Sequence, residues 1–220
     1  MEQVAVQIQR KGLALDQTQI CNLRAEFRDA HWVRLPRLLE PSILDFIQAR
    51  LDHSRWETMS HGNIGDEYIT SDLPTTILLH FAISRPKFRA VIEEITRCKG
   101  LRWFKGRLYR MVAEAGHYDR WHSDAADSRE IGMSVNLSRD LFRGGLFMLR
   151  ETNTKRTLAR VANTGPADAL IFRISPDLEH RISDLEGAEL KTAFAGWFRS
   201  DLPECFMDSS TQIPTAPRPI

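Results

Sequence analysis

The spacing of apolar positions along the chain divides it into two textures. At the start, Val4, Val6 and Ile8 alternate loosely until Gly12 breaks the run, a pattern that fits a short strand or a frayed arm. Asp16-Gln17-Thr18-Gln19 then has the layout of a helix start, and Ile20, Leu23, Phe27 and Ala30 follow at helical spacing as one apolar stripe. His31 to Leu35 reads as a strand ended by Pro36. Pro41 opens a second helix with Ile43, Leu44, Ile47 and Leu51 on its buried face. Residues 57–74 are polar and glycine-bearing and predict a long loop, of the kind that often serves as a binding loop or lid. A further helix is predicted from Pro86 through Cys98, with Phe88, Val91, Ile92 and Ile95 inward.

From Leu101 onward the period shortens. Arg102 to Ala113, Glu130 to Leu137, Gly145 to Leu149, Ala167 to Ile174 and Leu190 to Phe198 read as short strands between turn residues. Helices first and strands afterwards predict an α+β fold with a dominant β core. The stretch from Pro203 to the end, with Pro214, Pro217 and Pro219, predicts an irregular tail.

Length and composition narrow the class. A chain of 220 residues with 42% hydrophobic and 27% charged positions has enough for one domain and a core. A formal net charge of +1 gives no general attraction to nucleic acid or to a membrane surface. The sequence has no apolar run of about 18 residues, the length of a membrane-spanning helix. The first residues, Met1-Glu2-Gln3-Val4, lack the layout of a signal peptide. Cys21, Cys98 and Cys205 are scattered and odd in number, which speaks for ordinary thiols in a reducing compartment, the cytoplasm. One local bias changes this picture: Arg97, Lys99, Arg102, Lys105, Arg107 and Arg110 fall within fourteen residues without an acid. That run is either a solvated strand edge or a basic wall for an anionic ligand.

The candidate chemistry centres on Tyr118-Asp119-Arg120-Trp121-His122-Ser123-Asp124. In extended chain, side chains two apart share a face, so His122 and Asp124 can grip one cation without bending the backbone. His117-Tyr118-Asp119 offers the same triplet, and short triplets recur by chance. A third ligand must come from elsewhere, and His180 in Asp177-Leu178-Glu179-His180-Arg181-Ile182 is the best candidate. Two histidines and a carboxylate on one side of a metal make the facial triad of non-haem iron(II) oxygenases.

Further motifs follow in order. Gly116 precedes His122 by six residues. A strand from Ile131 to Leu137 leads into Arg143-Gly144-Gly145-Leu146. Gly165-Pro166-Ala167-Asp168-Ala169-Leu170-Ile171-Phe172 comes next, then His180-Arg181-Ile182, Gly187, Lys191-Thr192 and Gly196-Trp197-Phe198. From Arg107 to Phe198 this series resembles the 2-oxoglutarate- and Fe(II)-dependent dioxygenases, most closely their prolyl-hydroxylase-like branch.

The resemblance carries several expectations. The fold would be a double-stranded β-helix, a jelly roll, with the N-terminal helices packed on one sheet. Residues 1–30 would be a helical flank, 31–202 the dioxygenase domain and 203–220 the tail. The glycine-to-histidine distance selects His122 and Asp124 over His117 and Asp119. His122, Asp124 and His180 would be the metal ligands and catalytic centre. Lys191, eleven residues after His180, stands where the family places the cation for the distal carboxylate of 2-oxoglutarate. Trp197, on the Lys191 face of its strand, would line the cosubstrate pocket near iron, and Tyr109 and Arg107, on one side of theirs, would touch the cosubstrate or the substrate. Asp119 stands where the family usually has an aromatic, and Ala113 or Ala115 where it often has tyrosine.

The implied activity is hydroxylation of an unactivated C–H bond, with Fe(II), 2-oxoglutarate and O2 and ascorbate as an optional reductant. Retention of Asp124 fits a hydroxylating rather than a halogenating member. The substrate would be a small molecule such as an amino acid or secondary metabolite, or alternatively a prolyl or other residue in a peptide. A nucleic-acid demethylase of the superfamily would carry a pair of arginines downstream of the last ligand, where this chain has Lys191. The non-enzymatic reading is a cupin-like binding barrel.

Overall fold

The computed structural model describes residues 4–70, 72–126 and 128–201, so the irregular tail expected from Pro203, with Cys205, lies outside the described residues. The chain opens on a hairpin of β1 (Val6–Gln9) and β2 (Gly12–Leu15), which resolves the strand-or-arm alternative. Helix α1 (Gln17–Ala30) begins where Asp16 accepts the Gln19 N–H at 3.1 Å and ends at His31 in a left-handed turn. Strand β3 (Trp32–Leu35) and helix α2 (Pro41–Leu51) follow as the pattern predicts.

The predicted 57–74 loop is instead a hairpin, β4 (Glu57–Ser60) and β5 (Gly65–Ile69), running into helix α3 (Leu73–Ile83). All four residues of β4 are exposed, and the buried side chain of β5 is Glu67. Alternation of apolar residues therefore could not reveal these strands. Helix α4 (Pro86–Thr96) has the expected buried face.

The β region contains β6 (Trp103–Met111), β7 (Tyr118–Asp119), β8 (Arg129–Asn136), β9 (Arg143–Gly144) and β10 (Phe147–Glu151). It continues through β11 (Thr157–Val161), β12 (Ala169–Arg173), β13 (Leu178–Ile182), β14 (Leu185–Glu186) and β15 (Lys191–Arg199). Strand β11 and the two-residue β9 and β14 have no counterpart among the strands the pattern predicts. Pairing is antiparallel, in a large sheet ordered β3-β12-β8-β15-β6-β5-β4 with β7 beside β5. A smaller sheet, β11-β10-β13, lies over it, and β9 pairs with β14. This is the expected double-stranded β-helix with helices on one sheet.

Alternation gives the large sheet two different faces. The helix side carries Val33, Leu35, Phe104, Leu108, Ile131, Val135, Ile171, Phe194 and Phe198. These share one core with Ile20 and Phe27 of α1, Ile47 of α2, and Phe88 and Ile92 of α4, and the hairpin residues Val6 and Ile8 join the same core. The other side faces the small sheet, where Leu170 and Phe172 meet Phe147 and Leu149. Small residues on that inner side, Gly132, Ser134, Ala193 and Ala195, leave room for a cavity. Gly132 is required for packing as well: a Cβ there would collide with the Phe172 ring.

Candidate metal centre and active site

His122 and His180 are held opposite each other by their own backbones. The His122 N–H donates to the His180 carbonyl at 3.1 Å and the His180 N–H to the His122 carbonyl at 2.9 Å. Directly opposed residues in an antiparallel pair project to the same face, so the two imidazoles stand together with ring centroids 4.4 Å apart. Asp124, two residues on, adds its carboxylate: Oδ1 lies 3.9 Å from His122 Nε2 and Oδ2 3.5 Å from His180 Nε2. The three ligating atoms all lie within 4.8 Å of one another. Transition-metal bonds to nitrogen and oxygen run about 2.0–2.2 Å, so one ion can reach all three with small adjustments. Among the described residues this is the one group of His, Cys, Asp and Glu that converges in this way.

The surroundings prepare each ligand. His122 Nδ1 donates to the Arg120 carbonyl at 2.7 Å, which leaves the Nε2 lone pair for a metal. Asp119 Oδ1 lies 3.4 Å from the same Nδ1, while its Oδ2 accepts the Ile182 N–H at 2.7 Å. One acid thus ties both histidine-bearing segments together. His180 is packed against Phe172, with ring centroids 4.6 Å apart, and against Phe147. Burial, opposed by the Asp124 charge, lowers its pKa to about 4, so the imidazole is neutral and fit to ligate. Asp124 is braced by two donors. The Trp197 indole N–H donates to Oδ2 and Arg129 Nη1 to Oδ1 at 3.2 Å, and the Arg129 guanidinium sits 4.0 Å over the Trp197 ring.

The second triplet goes elsewhere. His117 Nδ1 accepts the Val112 N–H at 3.1 Å, and its ring meets Tyr68 edge-on. Asp119 serves His122 rather than His117.

The triad opens into a cavity of about 320 Å³ lined by residues of both sheets. Tyr109, Arg107 and Trp197 line it together, as their shared faces predict. Lys191 does not line it. Only 4% exposed, it lies beneath, on the same inner face of β15 as Ala193 and Ala195. Its Nζ donates to the Gly145 carbonyl at 3.0 Å, and among the described residues no carboxylate stands within ion-pair distance. Burial lowers its pKa to about 8 against the pull of Asp119 and Glu67. A buried ammonium with two N–H donors unspent is chemically suited to an anion. The donor set around the triad suits Fe(II), and Lys191 suits the far carboxylate of 2-oxoglutarate.

Alternation splits the basic run. Arg107 enters the cavity wall, whereas Arg110 turns away to stack on Trp56 at 4.1 Å and donate to Thr192 at 3.0 Å. Glu67 and Arg129 are among the cavity residues that the sequence pattern does not single out. Glu67 lies in the polar 57–74 segment, whose pattern predicts a loop, and Arg129 at the start of β8 carries no motif. Glu67 reaches Arg107 because β5 lies beside β6, paired through Tyr68–Arg110 and Ile69–Tyr109, which strand pairing alone exposes.

Solved structures share this architecture. A Pseudomonas putida prolyl-4-hydroxylase superposes with a TM-score of 0.63 at 15% identity, over 83% of this chain and 99% of that one. An oxidoreductase of the 2OG-Fe(II) oxygenase family from Burkholderia pseudomallei gives 0.65 at 15% identity, over 89% and 96%. The fold is that of the 2OG-Fe(II) oxygenases. The non-haem α-ketoglutarate-dependent epimerase SnoN from nogalamycin biosynthesis shares it too, with a TM-score of 0.59 at 15% identity over 93% and 94%. No protein-family model and no curated protein sequence matches the chain. Of the residues in the sequence motifs, Phe172, His180 and Trp197 lie on β12, β13 and β15 and line the cavity. Among the described residues no helix is long and apolar enough to cross a membrane.

Proposed function

We propose that this protein is an Fe(II)- and 2-oxoglutarate-dependent dioxygenase that hydroxylates an unactivated C–H bond of a small molecule. The observation that carries the reading is the convergence of His122, Asp124 and His180 at a cavity with the buried Lys191 beneath it. His122 and His180 would hold the ion through neutral nitrogens and Asp124 through one oxygen, a three-ligand set that leaves room for cosubstrate and O2. Lys191 would neutralise the distal carboxylate of the cosubstrate. Iron(II) with 2-oxoglutarate and O2 supplies the oxidation, in which the cosubstrate goes to succinate and CO2 while one oxygen atom enters a substrate C–H bond.

The chain's own part is positional. Trp197 and Arg129 fix the carboxylate of Asp124, Asp119 holds the two histidine segments in register, and Phe147 and Phe172 keep water from the side of His180. Residues 31–202 would form the catalytic unit with 1–30 as its flank. The free thiols of Cys21 and Cys98 fit work in the reducing cytoplasm. A second reading keeps the chemistry and takes a prolyl or other peptide residue as substrate. The likeness to a prolyl-4-hydroxylase favours it.

The test is anaerobic Fe(II) titration followed by an assay for succinate. Stoichiometric iron binding, and 2-oxoglutarate consumption stimulated by some substrate class, are expected. Absence of Fe(II) affinity would leave a non-catalytic barrel. Parallel incubation with free amino acids and with a peptide library separates the two substrate readings.

A further inference from the structure

Arg107 and Glu67 meet on the cavity wall, and they leave complementary atoms unused. Glu67 Oε1 accepts both Arg107 Nε at 2.6 Å and His61 Nε2 at 3.0 Å. Glu67 Oε2 and Arg107 Nη1 have no hydrogen-bond partner among the described residues, and Arg107 Nη2 has only a 3.5 Å contact with His61. Glu67 Oε2 and Arg107 Nη1 do not belong to the buried unpartnered set, so both are accessible, and both residues line the cavity together with His61. The wall therefore presents a cationic donor pair beside an anionic acceptor.

We propose that this pair recognises the α-amino and α-carboxylate groups of a free α-amino acid, a reading that rests on the dioxygenase assignment above. The carboxylate would take the Arg107 Nη donors and the ammonium would take Glu67 Oε2. The two opposite charges of a zwitterion are only one carbon apart, so they need two opposite charges side by side. A lone arginine would leave the ammonium unpaired in the cavity, and a lone glutamate would leave the carboxylate unpaired, each at considerable cost. The same pairing discriminates against the cosubstrate. A dianion approaching Arg107 also meets Glu67, which directs 2-oxoglutarate toward Lys191 instead.

The remaining walls indicate the side chain. Phe147, Phe172 and Ile182 line the cavity near His180, and Phe172 packs directly on that imidazole. The group presented to the metal side is then apolar, aliphatic or aromatic. An interior residue of a peptide has neither free charge and gives Arg107 and Glu67 nothing to pair with. A cavity of about 320 Å³ is at the small end of ligand sites, in keeping with a single amino acid beside the cosubstrate.

The experiment is calorimetry on the Fe(II)-loaded protein with 2-oxoglutarate under argon. The ligands are L-leucine, L-isoleucine, L-methionine and L-phenylalanine, each compared with its N-acetyl and α-amide forms and with an end-blocked proline peptide. At least one free amino acid is expected to bind, and either blocking group to weaken it by about 30-fold or more, as for loss of one partner in a desolvated charge pair. Glu67→Gln should weaken the free amino acid while leaving the N-acetyl form unchanged, and Arg107→Gln should do the same relative to the α-amide. Blocked forms that bind as well as the free ones overturn the proposal without recourse to any variant. So does preferential binding of the blocked peptide, or no amino-acid binding by protein that still takes up Fe(II) and slowly consumes 2-oxoglutarate. Failure to take up Fe(II) overturns the dioxygenase reading and this one with it.

Discussion

Trp197 donates its indole N–H to Asp124 Oδ2 from a strand 73 residues further along the chain. The Arg129 guanidinium lies on the Trp197 ring and donates to the other oxygen of the same carboxylate. A carboxylate held through both oxygens has one orientation relative to His122 and His180, so the metal position is set before any metal arrives. Trp197→Phe keeps the ring under Arg129 but removes the donor. It should lower Fe(II) affinity by about 10–100-fold while the fold is retained. Titration with Fe(II), or with Co(II) followed by its visible absorption, checks this, and an unchanged affinity would show that the brace does not matter.

Loss of the carboxylate itself is more severe. Asp124→Ala should abolish substrate-dependent succinate formation and leave the melting curve intact, because Asp124 lies outside the apolar clusters. Full turnover by this variant would refute the assignment of the triad.

Lys191 gives a prediction with a pH signature. Lys191→Met should raise the KM for 2-oxoglutarate by at least about 30-fold, as the dianion loses its buried counter-ion. Without cosubstrate, the variant should be as stable as the parent or more so, because the native ammonium is buried without a counter-ion. The sign follows from linkage. Folding depresses the pKa from 10.5 to about 8, so between those values the unfolded chain binds more protons. The parent therefore gains stability from this group as pH rises through that window, and the methionine variant lacks that gain. Denaturant melts of both proteins at pH 8 and pH 10 measure the difference.

Gly132 and Phe172 link packing to the site. Gly132→Val would drive a side chain into the Phe172 ring, which itself packs on His180. A destabilisation of about 1–3 kcal/mol is expected for such overpacking, together with weaker Fe(II) binding as His180 shifts. Thermal melts and metal titration should move together. A destabilised variant with unaltered metal affinity would uncouple the two.

Asp119 tests the tie between the histidine segments. Asp119→Asn can still accept the Ile182 N–H but loses its charge beside His122. Metal affinity should fall by about tenfold, the effect of losing an outer carboxylate, with little change in melting temperature. Iron titration of the variant against the parent decides it.

The sequence by itself determined the elements whose buried face is apolar and regular. Helices α1, α2 and α4 were legible because a stripe of Ile, Leu and Phe faces the large sheet, and Asp16, Pro41 and Pro86 mark their starts. The central strands were legible for the same reason, since their helix-facing positions are large and apolar. His122 and Asp124 could be singled out because their two-residue spacing is itself a piece of geometry. Tertiary structure decided the rest. Strand β4 is wholly exposed and β5 buries a glutamate, so neither carried an apolar signal. That Glu67 would meet Arg107, that Arg129 would lie on Trp197, and that Lys191 would sit beneath the cavity rather than on its wall all depend on strand order and register. Local periodicity reports which side of an element is buried. Which charged side chains then face one another is fixed only when distant strands pair.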